Sequence, residues 1–154
     1  MLHWGIKQTL VVVGAVVVVG ALGAWWYFGV PHTAQPARVV DTGNAAQKAD
    51  LIVLDTPQPN QAIASPLTLA GRARGSWFFE ATFPVVLLDA AGNTVAQGHA
   101  TAQSDWMTTE LVPFKVEVTV TMSYSGPARL APLKDNPSGL PEHDDSLEIP
   151  IVIQ

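Results

Sequence analysis

"FKVEVTVTM", residues 114–122, alternates without a break. Phe114, Val116, Val118, Val120 and Met122 fall on one side, and Lys115, Glu117, Thr119 and Thr121 on the other. Successive side chains of an extended chain point to opposite faces, so a period of two over this length predicts a half-buried antiparallel strand.

The same reading extends in both directions. Residues 51–55 form a first strand, followed by a Pro-rich connection, TPQPNQAIASP. Leu67, Leu69, Gly71 and Ala73 alternate with Thr68, Ala70, Arg72 and Arg74, giving a second strand with one basic face. Phe79, Ala81, Phe83, Val85 and Leu87 define a third, ending at a turn over residues 89–93. Residues 94–103 are a fourth, with Ala96, Gly98, Ala100 and Ala102 on one face. Residue 114 opens the fifth, residues 128–133 are the sixth, and Leu147, Ile149, Ile151 and Ile153 mark the seventh. Pro84 and Pro150 fall inside strand patterns and cannot donate to a ladder, which predicts sheet edges or bulges there. Seven short strands separated by turn signals predict an all-β fold, an immunoglobulin-like antiparallel β-sandwich. The cysteine and tryptophan marks of antibody domains are missing, so the pattern speaks for architecture and not for antibody ancestry.

A different pattern precedes the strands. Residues 10–30, LVVVGAVVVVGALGAWWYFGV, contain no charged side chain. As a helix they would extend about 31 Å, the thickness of a bilayer's hydrocarbon core, and a lone spanning segment satisfies its backbone groups only as a helix. Trp25, Trp26 and Tyr27 suit the outer interface and Trp4 the inner one. Lys7 precedes the run and all 13 acidic residues follow it, an asymmetry that puts the N-terminus in the cytoplasm. A cleavable signal peptide competes, with Ala21-Leu22-Gly23-Ala24 as its small-residue site. The apolar run is longer than a usual signal core, which favours an uncleaved signal anchor, and the chain is exported on either reading. The expected organisation is a cytoplasmic arm over residues 1–9, a transmembrane helix over 10–30, a flexible linker over 31–50 and the sandwich over 51–154. The chain is thus expected to be single-pass in the cell membrane with its C-terminal domain extracytoplasmic.

The absence of cysteine excludes disulfides, thiolate catalysis and Cys-ligated zinc. Beyond residue 30, seven Lys and Arg stand against 13 acids, so nothing electrostatic favours nucleic acid.

Two constellations are candidates for chemistry. KDNPSGLPEHDDSLEIP, residues 134–150, gathers acids around His143. Asp135, Asn136, Glu142, Asp144 and Asp145 offer oxygens to calcium, but their spacing is not that of a calcium loop and Pro137 and Pro141 interrupt it. The competing reading is a solvated turn before the last strand, and no metal ligand set is assigned. His143, Asp144 and Ser146 are the residue types of a nucleophilic triad, yet neighbours in one loop do not supply the relay geometry, and no G-x-S-x-G elbow exists. No catalytic residue and no cofactor is expected, calcium being the one ion the loop raises. The second constellation is aromatic: GSWFFE (75–80) and DWM (105–107). Trp77, Phe78 and Trp106, with Arg72 and Arg74 nearby, are candidates for a binding surface. Phe78 is expected to point outward because Phe79 claims the inward direction. The alternative has Trp77 and Trp106 capping the end of the core.

Four strings, PLTLAGRARGSWFFEATFPVVLLDAAGNTVAQGHATAQ, DWMTTELVPFKVEV, DNPSGLPEHDD and LEIPIVI, resemble, in order, the bacterial spore germination immunoglobulin-like domain family. The resemblance covers the region from Leu51 onward and leaves the first 50 residues outside it. It implies an immunoglobulin-like sandwich and an extracytoplasmic location, the family being often found in membrane-anchored or lipid-anchored exported proteins, and it supplies no enzymatic activity. The expected role is a non-catalytic binding or assembly module of the cell envelope, with a protein or cell-wall partner outside the membrane. A calcium-stabilised structural module using the loop at 134–148 is the alternative.

Overall fold

The computed structural model describes residues 40–120 and 123–154. The expected cytoplasmic arm, the apolar run at 10–30 and the first part of the linker lie outside the described residues, as do Thr121 and Met122. Among the described residues no helix is long and apolar enough to cross a membrane.

Among the described residues, eight strands follow a one-turn helix, α1 (Ala45–Lys48). They are β1 (Ile52–Thr56), β2 (Ala62–Ile63), β3 (Leu67–Arg74), β4 (Thr82–Asp89), β5 (Thr94–Ala102), β6 (Leu111–Val118), β7 (Gly126–Pro132) and β8 (Ile149–Ile153). Hydrogen bonding links them into one sheet in the order β1-β3-β6-β5-β4-β7-β8-β2. The link between β5 and β6 is only two residue pairs, Thr101 with Lys115 and Ala102 with Phe114. The sheet therefore curls into two halves that face each other as in a sandwich, β1-β3-β6 and β5-β4-β7-β8-β2. One apolar core draws on both halves. The ring of Phe83 on β4 packs edge-on against Phe114 on β6, with centroids 4.9 Å apart.

The alternation at the start of the fifth predicted strand holds: Phe114, Val116 and Val118 are buried, and Lys115 and Glu117 exposed. That strand begins earlier than expected, at Leu111, and its ladder stops at Val118. The Pro-rich connection conceals an additional element, β2, whose two residues run parallel to β8; two residues are too few to show any period.

The prolines are not where edges were expected. β4 lies between β5 and β7, yet Pro84 fits because its carbonyl accepts the Leu133 N–H at 2.8 Å just past the end of the β7 ladder. Its missing donor thus faces a place where the ladder has already stopped. Pro150 likewise turns its carbonyl to Asn60 N, at 2.6 Å, where β2 has not yet begun to pair with β8. Interior strands tolerate proline when the lost N–H falls beyond the neighbour's end.

The third predicted strand contains the main correction. It was expected to run from Phe79, but Phe79 and Thr82 instead exchange N–H···O bonds of 2.9 and 3.0 Å across a two-residue turn. Glu80 and Ala81 both have positive φ, 50° and 63°, the backbone of a type I′ hairpin turn. The turn resets the alternation, so Phe78 enters the core and Phe79 does not. At the opposite end of β4, Asp89 closes the hairpin to β5. The Asn93 side-chain amide, and then the backbone N–H groups of Asn93 and Ala91, hold its carboxyl below the usual carboxylate range.

Side chains with a Cβ are strained by about 1–2 kcal/mol in the left-handed region. Ala81→Gly is therefore expected to raise unfolding stability by about 1 kcal/mol once glycine's greater freedom in the unfolded chain is subtracted. Urea denaturation of the two proteins checks this, and a variant no more stable than the parent refutes it.

Candidate functional site

One end of the domain gathers most of the residues singled out above. β3 ends in Arg74, whose Nε donates to Asp50 O and whose Nη1 donates to Thr109 O, both at 2.8 Å. The next residue must be glycine. A Cβ on Gly75 would lie 1.9 Å from Thr108 O and 2.3 Å from Trp106 O, so the segment 106–108 lies directly on this backbone. Gly75–Trp77 form a short 3-10 turn that drops Trp77 into the core at 1% exposure. Trp77 still contributes its carbonyl, which accepts the Asp135 N–H at 3.0 Å. The aromatic and acidic stretches, separate in sequence, are thus neighbours through Trp77.

The aromatic candidates divide differently from expectation. Trp77 and Phe78 are core residues, Phe78 at 5% exposure and packed edge-on against Phe83 with centroids 5.1 Å apart. Phe78 therefore does not point outward. Trp106 is half-buried against the core, in keeping with a capping role. Arg72 pairs with Asp55 at 3.3 Å on β1, and Arg74 is committed to backbone carbonyls. The large apolar side chains offered to solvent are Phe79 at 42%, which was expected to point inward, and Met107 at 77%, which lay in the aromatic stretch but not among the binding candidates. Exposed Glu80, Asp105 and Glu110 stand on the same two loops. Asp105 and Thr108 fix the second loop through side-chain bonds to the N–H groups of Met107 and Glu110, at 3.1 and 3.2 Å.

The acidic loop is a set of locally satisfied turns. Asn136 Nδ2 donates to Leu140 O at 2.8 Å and to Asp144 Oδ1 at 2.7 Å, while Asn136 Oδ1 accepts the Ser138 hydroxyl at 2.5 Å. Ser138 Oγ also lies 3.0 Å from His143 Nδ1. The Ser138 hydroxyl is thus shared between Asn136 and His143 inside one exposed turn. Asp145 pairs with Lys48 and accepts the Ser146 N–H at 2.9 Å. Glu142 is exposed. Among the described residues, no cluster of three or more His, Cys, Asp or Glu is arranged to hold a metal ion. A cleft of about 640 Å³ beside the loop is lined by Lys48, Pro84, Lys134, Asp135, Asp144 and Asp145, with both signs of charge represented.

One wall of that cleft comes from residues expected to be flexible linker. Asn44 donates its N–H to Glu148 O (3.1 Å) and its Nδ2 to Ser146 O (3.0 Å), and its Oδ1 accepts the Glu148 N–H (2.7 Å). Gly43, at φ +65°, permits this approach, since a Cβ there would meet Glu148 O at 1.8 Å. Asn60 Nδ2 donates to Asp41 O at 2.6 Å. Residues 41–48 thus form a strap docked on the approach to β8, and flexibility is not assigned to this part of the 31–50 segment.

Two measurements follow from this geometry. Asn44→Ala leaves the Glu148 N–H and Ser146 carbonyl without their partner and is expected to cost about 1–3 kcal/mol, read as a lower melting temperature. Calcium is expected to leave the melting temperature where a chelator leaves it, because Asp144 already faces the Asn136 amide and Asp145 the Lys48 ammonium. A rise of several degrees in millimolar calcium would restore the cation reading.

The chain matches no curated protein and no solved structure. The model of one family, described as the immunoglobulin-like domain of bacterial spore germination, matches residues 51–139, more than half of the sequence. With its curled all-β sheet, the chain belongs to that immunoglobulin-like domain family.

Proposed function

We propose that this protein is a membrane-tethered, non-catalytic binding module whose sandwich stands outside the cell, and that the end bearing Phe79, Trp106 and Met107 receives its partner. Family membership supports a binding role. The uncharged run at 10–30, with one lysine before it and all the acids after it, supports the tether and its direction. The observation that carries the reading is the exposure of Met107 and Phe79 on loops that also hold three exposed acids. Large apolar side chains on rigid loops are what a partner's pocket can grip. The surrounding carboxylates select a partner with basic groups at its rim and disfavour anionic lipid or polymer.

The end is pre-organised. Gly75 fixes the segment 106–108 from below, and Arg74 ties Thr109 to Asp50. Little ordering entropy is then lost on binding. The partner is expected to be a protein of the cell envelope.

A photo-crosslinking amino acid at position 107 in intact cells is expected to capture one partner. The same probe at Thr119, exposed at the far end of β6, should not capture it. Reversing charge with Glu80→Lys and Glu110→Lys, whose side chains hold no loop bond, should reduce the adduct by about tenfold, the effect of ~1.4 kcal/mol, without lowering the melting temperature. Equal capture from both positions, or no effect of charge reversal, would refute the assignment of this end. External protease that spares the sandwich in wall-stripped cells would refute the topology.

A further inference from the structure

Among the described residues, the β5 edge of the sandwich is outside any ladder over part of its length. The Pro84 carbonyl faces β7, where it accepts the Leu133 N–H. His99 stands opposite Pro84 in the β4–β5 ladder, so its own N–H and C=O point away from β4. Those of Gln97 do the same by the two-residue period. The other end of the strand gives the same phase, since Ala102 N donates back to Ala81 O at 2.9 Å. β6 pairs with β5 only at Thr101 and Ala102 and then diverges. Beyond that point Gly98 lies over the side chains of Val116 and Val118, with β6 now on the opposite layer. Among the described residues, Gln97 and His99 belong to no ladder on their outward side. A groove of about 490 Å³, bounded by Thr68, His99, Thr101, Gln103, Lys115 and Glu117, adjoins them.

Strand edges are usually blunted by charge, proline or a covering group; the two ends of the strand order, β1 and β2, are blunted, and the edge of β6 beyond Lys115 carries the charge of Glu117. Gln58 Nε2 lies along β1 and donates to Leu54 O and Asp55 O at 3.3 and 2.9 Å. β2 is two residues long. The stretch AQGHA, residues 96–100, contains no Asp, Glu, Lys, Arg or Pro.

We propose that this edge of β5 pairs with the same edge of a second copy, antiparallel about Gly98. The inference rests on the tethered topology proposed above. A two-fold axis at Gly98 sets Gln97 of each copy opposite His99 of the other. The outward groups then form four main-chain hydrogen bonds, and each amide meets an imidazole. The segment suits self-pairing because it brings no like charges together in a chain whose net charge is −5. The ladder irregularity beyond Ala96 and the closure of β6 on Thr101 confine the contact to residues 97–99. Such a contact is weak in dilute solution. Tethering in one membrane, at an effective concentration on the order of millimolar, sustains it.

The chain lacks cysteine, so introduced thiols report without background. Differently tagged full-length copies carrying Gln97→Cys and His99→Cys, co-expressed in one membrane and mildly oxidised, are expected to form a mixed disulfide dimer. Its yield should exceed by about tenfold that from copies carrying Ser76→Cys and Thr119→Cys, which encounter each other through tethering alone. Equal yields, or no mixed dimer, overturn the pairing. A membrane-impermeant thiol reagent applied to the Gln97→Cys protein alone separates the two readings. Absence of labelling overturns the topology on which both rest, whereas labelling without the mixed dimer overturns the pairing and leaves the topology standing.

Discussion

Phe83 lies at the centre of a three-ring stack, edge-on to Phe114 across the sandwich and to Phe78 beside it. The two halves of the sheet share only two residue pairs through hydrogen bonds, so apolar contact has to hold them together. There is no disulfide to help. Aromatic rings bury large areas and gain further from edge-to-face geometry, and Trp77 seals the same region. The arrangement depends on a turn of two residues. Without the reversal at Glu80 and Ala81, Phe78 and Phe79 would exchange faces, and the stack would lose one ring to solvent.

That buried cluster also fixes the surface above it. The backbone that carries Trp77 down into the core is the backbone on which the segment 106–108 rests, and its carbonyl anchors the start of the acidic loop. Exposed Met107 and Phe79 are therefore carried on backbone that packs directly against the core, and Asp105 beside them is bonded within its own loop. The acidic loop itself is electrostatically settled. Asn136 takes up Asp144, Lys48 takes up Asp145, and Arg129 stands 3.7 Å from Glu148. Partial neutralisation of this kind lowers the repulsion that a dense acidic run would otherwise bring to the folded state.

How much of this was legible in the sequence depended on whether burial left a period. Phe114 to Val118 and Leu147 to Ile153 read directly, because one face of each strand packs on the core and every second residue must be apolar. The turn at Glu80-Ala81 did not read, because neither residue is the Gly, Asn or Asp that positive φ normally selects. From that single miss follow the misplaced start of the third strand and the misassignment of Phe78. The strap was hidden for another reason. It docks through the amide of Asn44 and a glycine, which leave no apolar pattern, so a polar segment looked like a linker. The proximity of Trp77 to Asp135 is a tertiary fact that no local spacing encodes.

The strap has a mechanical consequence. A pull transmitted through residue 40 meets the Asn60–Asp41 bond, then the three hydrogen bonds on Asn44 and the Lys48–Asp145 pair, before it reaches any strand. Residues 41–50 reach at most roughly 35 Å when fully extended at ~3.5 Å per residue, and their release lengthens the connection by that reach less the distance they already span. The approach to β8 thus behaves as a fuse in series with the sandwich, extending the reach of the domain under tension.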